Sequence, residues 1–160
     1  GMSVLVKDPS KGAQKNFAMV LKMPFTNGQK AEARLINEGD GKFKVQAFGN
    51  NLLGNWAILY KLTDAENEAV LNGEGVWYGV QLVGSKIQLK INDAVVFEKD
   101  LAGNGVVDKS SIDQIKVQAY NFTYAMNIPY RLHKATSRVT IADTANGTWI
   151  LETVQTGSGN

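Results

Sequence analysis

The chain has no cysteine and a single histidine among its 160 residues. A disulfide framework, a thiolate nucleophile and a Cys-ligated metal are thereby excluded, as is a zinc site built from several histidines. No acidic run has the spacing of an EF-hand loop, so no metal and no cofactor is expected. No apolar stretch approaches the about 20 residues that cross a bilayer as a helix. Charge of one sign is also lacking: 17 basic residues stand against 15 acidic ones, a net charge of +2. The basic residues are scattered singly rather than gathered in an arginine-rich stripe, so nucleic acid is not an expected partner. The amino end, GMSVLVKDPSKG, lacks the basic start and apolar core of a secretory signal. Gly1 before Met2 reads as a tag remnant, and with Met2 as the native start the chain is expected to be made in the cytosol.

The 44% hydrophobic and 20% charged residues form an ordinary globular mixture, and the length predicts one domain over 1–160. The clearest pattern is VWYGVQLVGSKIQLKINDAVVF at 76–97. Val76, Tyr78, Val80 and Leu82 share one parity, Trp77, Gly79, Gln81 and Val83 the other, which is the period of a pleated strand. After Gly84-Ser85, Ile87, Leu89 and Ile91 alternate with Lys86, Gln88 and Lys90, so this strand has one wet and one buried face. Asn92-Asp93 suits the positive φ angles of a tight hairpin. Further strands are predicted at 17–23, 31–36, 42–48, 56–62, 95–98, 114–120, 138–142 and 148–154, separated by Gly- and Asn-rich turns. TDAENEAVL at 63–71 carries a capping-box pattern for a short helix, and 110–115 a single turn. The expected fold is all-β, an antiparallel two-sheet sandwich.

Four segments carry a family resemblance: FAMVLKMPFTNGQKAEARLIN, KFKVQAFGNNLLGNW, WYGVQLVGSKIQLKINDAVVFEKDL and SSIDQIKVQAYNF. Over residues 17–124 their order resembles a galectin carbohydrate-recognition domain, a jelly-roll sandwich of the concanavalin A-like type. The third resembles the family's F-x-I-x-V … F-x-V-x-V-N hairpin. Galectins grip galactose with an H-x-N-x-R strand, a following Asn, a Trp and an acidic-x-Arg pair. Here the corresponding strand reads ARLINE, with Asn37 near the arginine position; Asn50 stands near the Asn position and Trp56 at the Trp. Ala57, Ile58, Leu59 and Tyr60 follow where charges belong, so galactose specificity does not carry over. The family begins with two strands before the matched region, whereas here the extra residues, 125–156, follow it. Those residues are expected to add strands to the same sandwich or to exchange with a neighbouring chain.

The resemblance implies a non-enzymatic, lectin-like module that binds a glycan or glycoprotein on its concave sheet, between loops 49–55 and 72–75. Trp56 and Trp77 would supply stacking faces, and Asn50, Asn51, Asn55 and Asn37 amides for sugar hydroxyls. A core tryptophan is the competing reading of Trp56. Trp149 is expected to be packed, and His133 to be a surface residue. Asp64, Glu66 and Glu68 alternate, but a solvated capped turn explains them better than the carboxylate pair of a glycoside hydrolase, the third reading. The second is a structural or assembly protein, such as a phage or particle component, whose long β edges make a homo-oligomer.

Overall fold

Apolar residues at alternate positions commit most of the chain to strands. The computed structural model describes residues 1–8, 10–13 and 16–103, and the backbone of the strands at 115–120, 130–132, 138–143 and 149–154. His133, the side chain of Trp149, the Asn146-Gly147 turn and most of the turn expected at 110–115 lie outside the described residues.

In chain order the elements are β1 (Met2–Val6), β2 (Ala18–Pro24), β3 (Lys30–Asn37), β4 (Phe43–Ala47), β5 (Asn50–Asn51), β6 (Gly54–Asn55), β7 (Ile58–Lys61) and helix α1 (Asp64–Asn72). They continue with β8 (Val76–Val83), β9 (Lys86–Ile91), β10 (Ala94–Asp100), β11 (Ile115–Tyr120), β12 (Tyr130–Leu132), β13 (Arg138–Asp143) and β14 (Trp149–Val154). Sheet A has the order β10-β9-β8-β1-β12 and sheet B the order β13-β14-β11-β2-β3-β4-β7, while β5 and β6 make a separate small hairpin. Pairing is antiparallel apart from a short parallel register between β11 and β13.

The inner faces of the two sheets share one core, as in a sandwich. Met2, Val4 and Val6 of β1, Val76, Tyr78 and Val80 of β8 and Ile87, Leu89 and Ile91 of β9 meet Met19, Leu21 and Met23 of β2, Ala33 and Leu35 of β3 and Val45 of β4. Each large apolar side chain buried here contributes about 1.5–3 kcal/mol. The cross-strand partners Ala33 and Ala47 are small, and the fully buried Tyr78 hydroxyl donates to the Ala33 carbonyl at 2.9 Å, a direct bond between the sheets.

β1 corrects the expected order of strands. The amino end holds a core strand paired to β8 on one side and β12 on the other, so the chain does have a strand ahead of residue 17. Its alternation was hidden because Met2, Ser3, Val4 and Val6 are all buried. Gly79 permits the close pairing: a Cβ there would lie 2.9 Å from both the Met2 carbonyl oxygen and the Ser3 Cβ.

Local chemistry sets the ends of the elements. Asn92 and Asp93 have φ of 51° and 68°, the signs a two-residue type I′ hairpin demands. Thr63 caps α1, accepting from the Glu66 N–H at 3.2 Å, while Glu66 Oε1 accepts from the Thr63 N–H at 2.9 Å. Asp64, Glu66 and Glu68 therefore lie on a helix, where positions two apart do not share a face.

Candidate functional site

The two faces of sheet B have different compositions. Its inner parity is apolar; the outer parity carries Lys22 on β2, Lys30, Glu32 and Arg34 on β3, Lys44 and Gln46 on β4, and Ile58 and Lys61 on β7. At one end this outer face is closed, since Ala18, Val20 and Ile36 are buried. At the β7 edge it opens, with Trp56 49% and Ile58 51% exposed.

Trp56 precedes β7 rather than starting it, and its φ is 51°. A bulky side chain in the left-handed region is an outlier that the surroundings must impose. Here three contacts impose it. The Trp56 N–H donates to the Gly49 carbonyl at 3.0 Å, the Trp56 carbonyl accepts from Gln46 Nε2 at 2.9 Å, and the Ala57 carbonyl accepts from the Ala47 N–H at 2.9 Å. The β4–β7 register shifts between Val45 and Gln46, an irregularity of the kind that re-aims side chains at a sheet edge.

The indole is fixed as firmly as its backbone. The Arg34 guanidinium carbon lies 5.1 Å from the ring centre of Trp56 and 5.1 Å from that of Phe48, whose ring is 5.7 Å from the indole at an angle of 51°. Arg34 Nη2 donates to Gln46 Oε1 at 3.1 Å, so Gln46 holds both the guanidinium and the Trp56 main chain. A cation set against two adjacent rings contributes about 0.5–1 kcal/mol per contact where partly exposed. The result is a half-exposed aromatic plate whose orientation is set before any ligand arrives.

Beyond Phe48, β5 and β6 form the hairpin that carries the three asparagines. Asn51 works as backbone: Oδ1 accepts from the N–H groups of Glu32 (3.2 Å) and Leu53 (2.9 Å), and Nδ2 donates to the carbonyls of Glu32 (2.9 Å) and Phe48 (3.2 Å). Asn50 and Asn55 are exposed cross-strand partners. A polar depression of about 350 Å³ lies at the end of the β2–β3 hairpin, lined by Gly28, Gln29, Lys30, Asn50, Asn51 and Leu52.

The charges on this side are unevenly matched. Lys30 Nζ lies 3.1 Å from Glu32 Oε1, and Lys44 is paired with Glu38 of the turn between β3 and β4. Lys22 and Lys61 meet no carboxylate within 4.0 Å among the described residues. Near α1, the Tyr60 hydroxyl donates to Glu66 at 2.6 Å, and this bond, reinforced by burial and by the carboxylate's charge, raises the phenol to about 12.

Of the six residues picked out in the sequence, the structure gathers Trp56, Asn50, Asn51 and Asn55 on the sheet B side. Trp77 is separate. It lies on the outer face of sheet A, opposite in parity to the buried Tyr78 and paired to Leu5, so it cannot share a site with Trp56. The loop 72–75 goes with it, since a Cβ on Gly75 would meet Lys7 and the Val6 carbonyl of β1. Asn37 is fully buried: its Nδ2 donates to the Gly12 carbonyl at 3.3 Å and its Oδ1 accepts from the Gly39 N–H at 2.9 Å, which ties two loops together. Arg34, Gln46 and Phe48, which no sequence motif marks, complete the group around Trp56. Their signal was the antiparallel register across the Glu38–Gly41 turn, which sets Arg34 opposite Gln46. No protein family, curated protein or solved structure matches this chain.

Proposed function

We propose that the protein is a non-enzymatic carbohydrate-binding module on a galectin-like jelly-roll sandwich, with the ligand lying along the outer face of sheet B. The observation that carries the reading is Trp56: half-exposed, held in a strained backbone conformation, and fixed by Arg34, Phe48 and Gln46. Sugar rings present a C–H face that packs on an indole, and a plate ordered in advance lowers the entropy lost on binding. Strain of this kind is kept where the conformation serves a site.

A second support is placement. Arg34, Asn50 and Trp56 follow one another in the chain as arginine, asparagine and tryptophan on the sheet B side, with Arg34 against the indole, so Arg34 rather than the buried Asn37 is the arginine of this face. The carboxylates Glu32 and Glu38 each hold a lysine, which suits binding rather than the acid and base of a glycoside hydrolase. An assembly role is the alternative, favoured by Val95, 48% exposed on the edge strand β10. Light scattering after size-exclusion chromatography separates the two, because assembly requires an oligomer.

The test of the carbohydrate reading is a glycan array probed with the wild type, Trp56→Ala and Trp77→Ala. Binding retained by Trp77→Ala and lost at least ten-fold by a folded Trp56→Ala supports it. A blank array for the wild type contradicts it.

A further inference from the structure

Resting on the carbohydrate-binding reading above, we infer that the ligand is an acidic saccharide, bearing carboxylate or sulfate groups along its length. Among the described side chains, the face that presents Trp56 carries Lys22, Lys30, Arg34, Lys44 and Lys61, and the carboxylates there, Glu32 and Glu38, are already engaged with Lys30 and Lys44. Lys44 and Lys61 stand directly opposite one another across the β4–β7 pair. Lys44 is already paired with Glu38, so among the described residues the exposed Lys61 is the charge of this pair that an anionic ligand lying over the strands would meet.

Sheet A shows that this imbalance is not a general feature of the surface. There Lys86 lies 3.8 Å from Glu98, Asp100 stands opposite Lys86, and Lys90 Nζ donates to Gln81 at 2.6 Å. The cationic excess among the described side chains coincides with the ordered aromatic plate and with the polar depression beside Lys30 and Asn50.

The geometry also bears on length. From Lys30 to Arg34 the strand advances about 13 Å, and Trp56 lies beyond Arg34 at the open edge, so the face spans more than one sugar ring. Sugar rings would take the indole and Ile58, and the acidic substituents the flanking ammonium groups. An exposed lysine contributes modestly to such a contact, so several acting together, screened by salt, set the preference.

The experiment measures binding of the full chain to four probes of matched length: a heparin-derived oligosaccharide, an oligogalacturonate, a neutral galacto-oligosaccharide and a DNA oligonucleotide. Each is titrated at low and at high salt. One or both acidic saccharides should bind at least ten-fold more tightly than the neutral one, and the heparin and galacturonate arms say whether sulfate or carboxylate is preferred. Affinity should fall with salt, and Lys61→Gln and Lys22→Gln should each weaken acidic binding about two- to five-fold while Lys86→Gln leaves it unchanged. Equal binding of the neutral saccharide overturns the inference and leaves the carbohydrate reading standing. Binding of DNA as tight as that of the acidic saccharides overturns it in favour of a general polyanion surface. Failure of all three saccharides overturns both.

Discussion

The outer faces of sheets A and B are built from the same pleat and, among the described side chains, carry one tryptophan each, yet only one of them is organised around it. Trp77 sits in the regular ladder of β8 between β1 and β9, with Gly79 and Gln81 following on its face, Lys86 matched by Glu98 and Asp100, and Lys90 bonded to Gln81. There Ser85 donates to Asp100 at 2.6 Å and holds that carboxyl below its ordinary range. Trp56 lies outside the ladder, in a left-handed conformation that neighbouring groups enforce, with a guanidinium and a second ring against it. Exposure of an aromatic therefore says less about function than the interactions that fix it.

Perturbing either face should affect it alone. Removing the Asn51 clamp is the most damaging change on the sheet B side. Asn51→Ala loses four hydrogen bonds, two to Glu32 and one each to Phe48 and Leu53, each worth about 1 kcal/mol net, and should lower unfolding stability by about 4 kcal/mol in urea titration. It should also weaken glycan binding, because Trp56 donates to Gly49 within the same loop.

On the sheet A side, Gly79→Ala forces a methyl to within 2.9 Å of the Met2 carbonyl oxygen and the Ser3 Cβ. Overpacking of this kind should cost about 1–3 kcal/mol, read from the urea midpoint, with glycan affinity unchanged in the folded protein. A loss of affinity there would show that the two faces are coupled. Thr63→Ala removes the α1 cap and should cost about 1 kcal/mol by the same measurement, again without affecting binding.

The smallest effect is one of pH. Glu66 raises the Tyr60 phenol from 10.0 to about 12, and burial pushes Tyr78 in the same direction. The folded state keeps protons that the unfolded chain gives up, so this stabilisation is complete below pH 10 and is lost as the pH rises through about 12. Tyr60→Phe should flatten part of the alkaline loss of stability, measured by circular dichroism alongside tyrosinate absorbance.

The strands and the capped helix were legible because they obey short-range rules. Val76–Val83 and Lys86–Ile91 were read to the residue from alternation, and Asn92-Asp93 from turn chemistry. β1 was not, since its burial on both faces, Ser3 included, erases alternation. The site was legible only in part. Trp56 and the asparagines fall in one loop, where sequence distance approximates spatial distance; Arg34 reaches them only through the β3–β4 register, and Trp77 is carried to the far face by strand order. Asn37 is a buried tie between two loops, and in sequence such an amide is indistinguishable from an exposed one.

The most direct test follows the indole N–H resonances of Trp56 and Trp77 by heteronuclear NMR while the heparin-derived and neutral oligosaccharides are titrated. The Trp56 indole should shift in saturable fashion while the Trp77 indole stays in place. A saturable shift at Trp77 with none at Trp56, or saccharide binding that moves neither, would contradict the assignment of the site to Trp56.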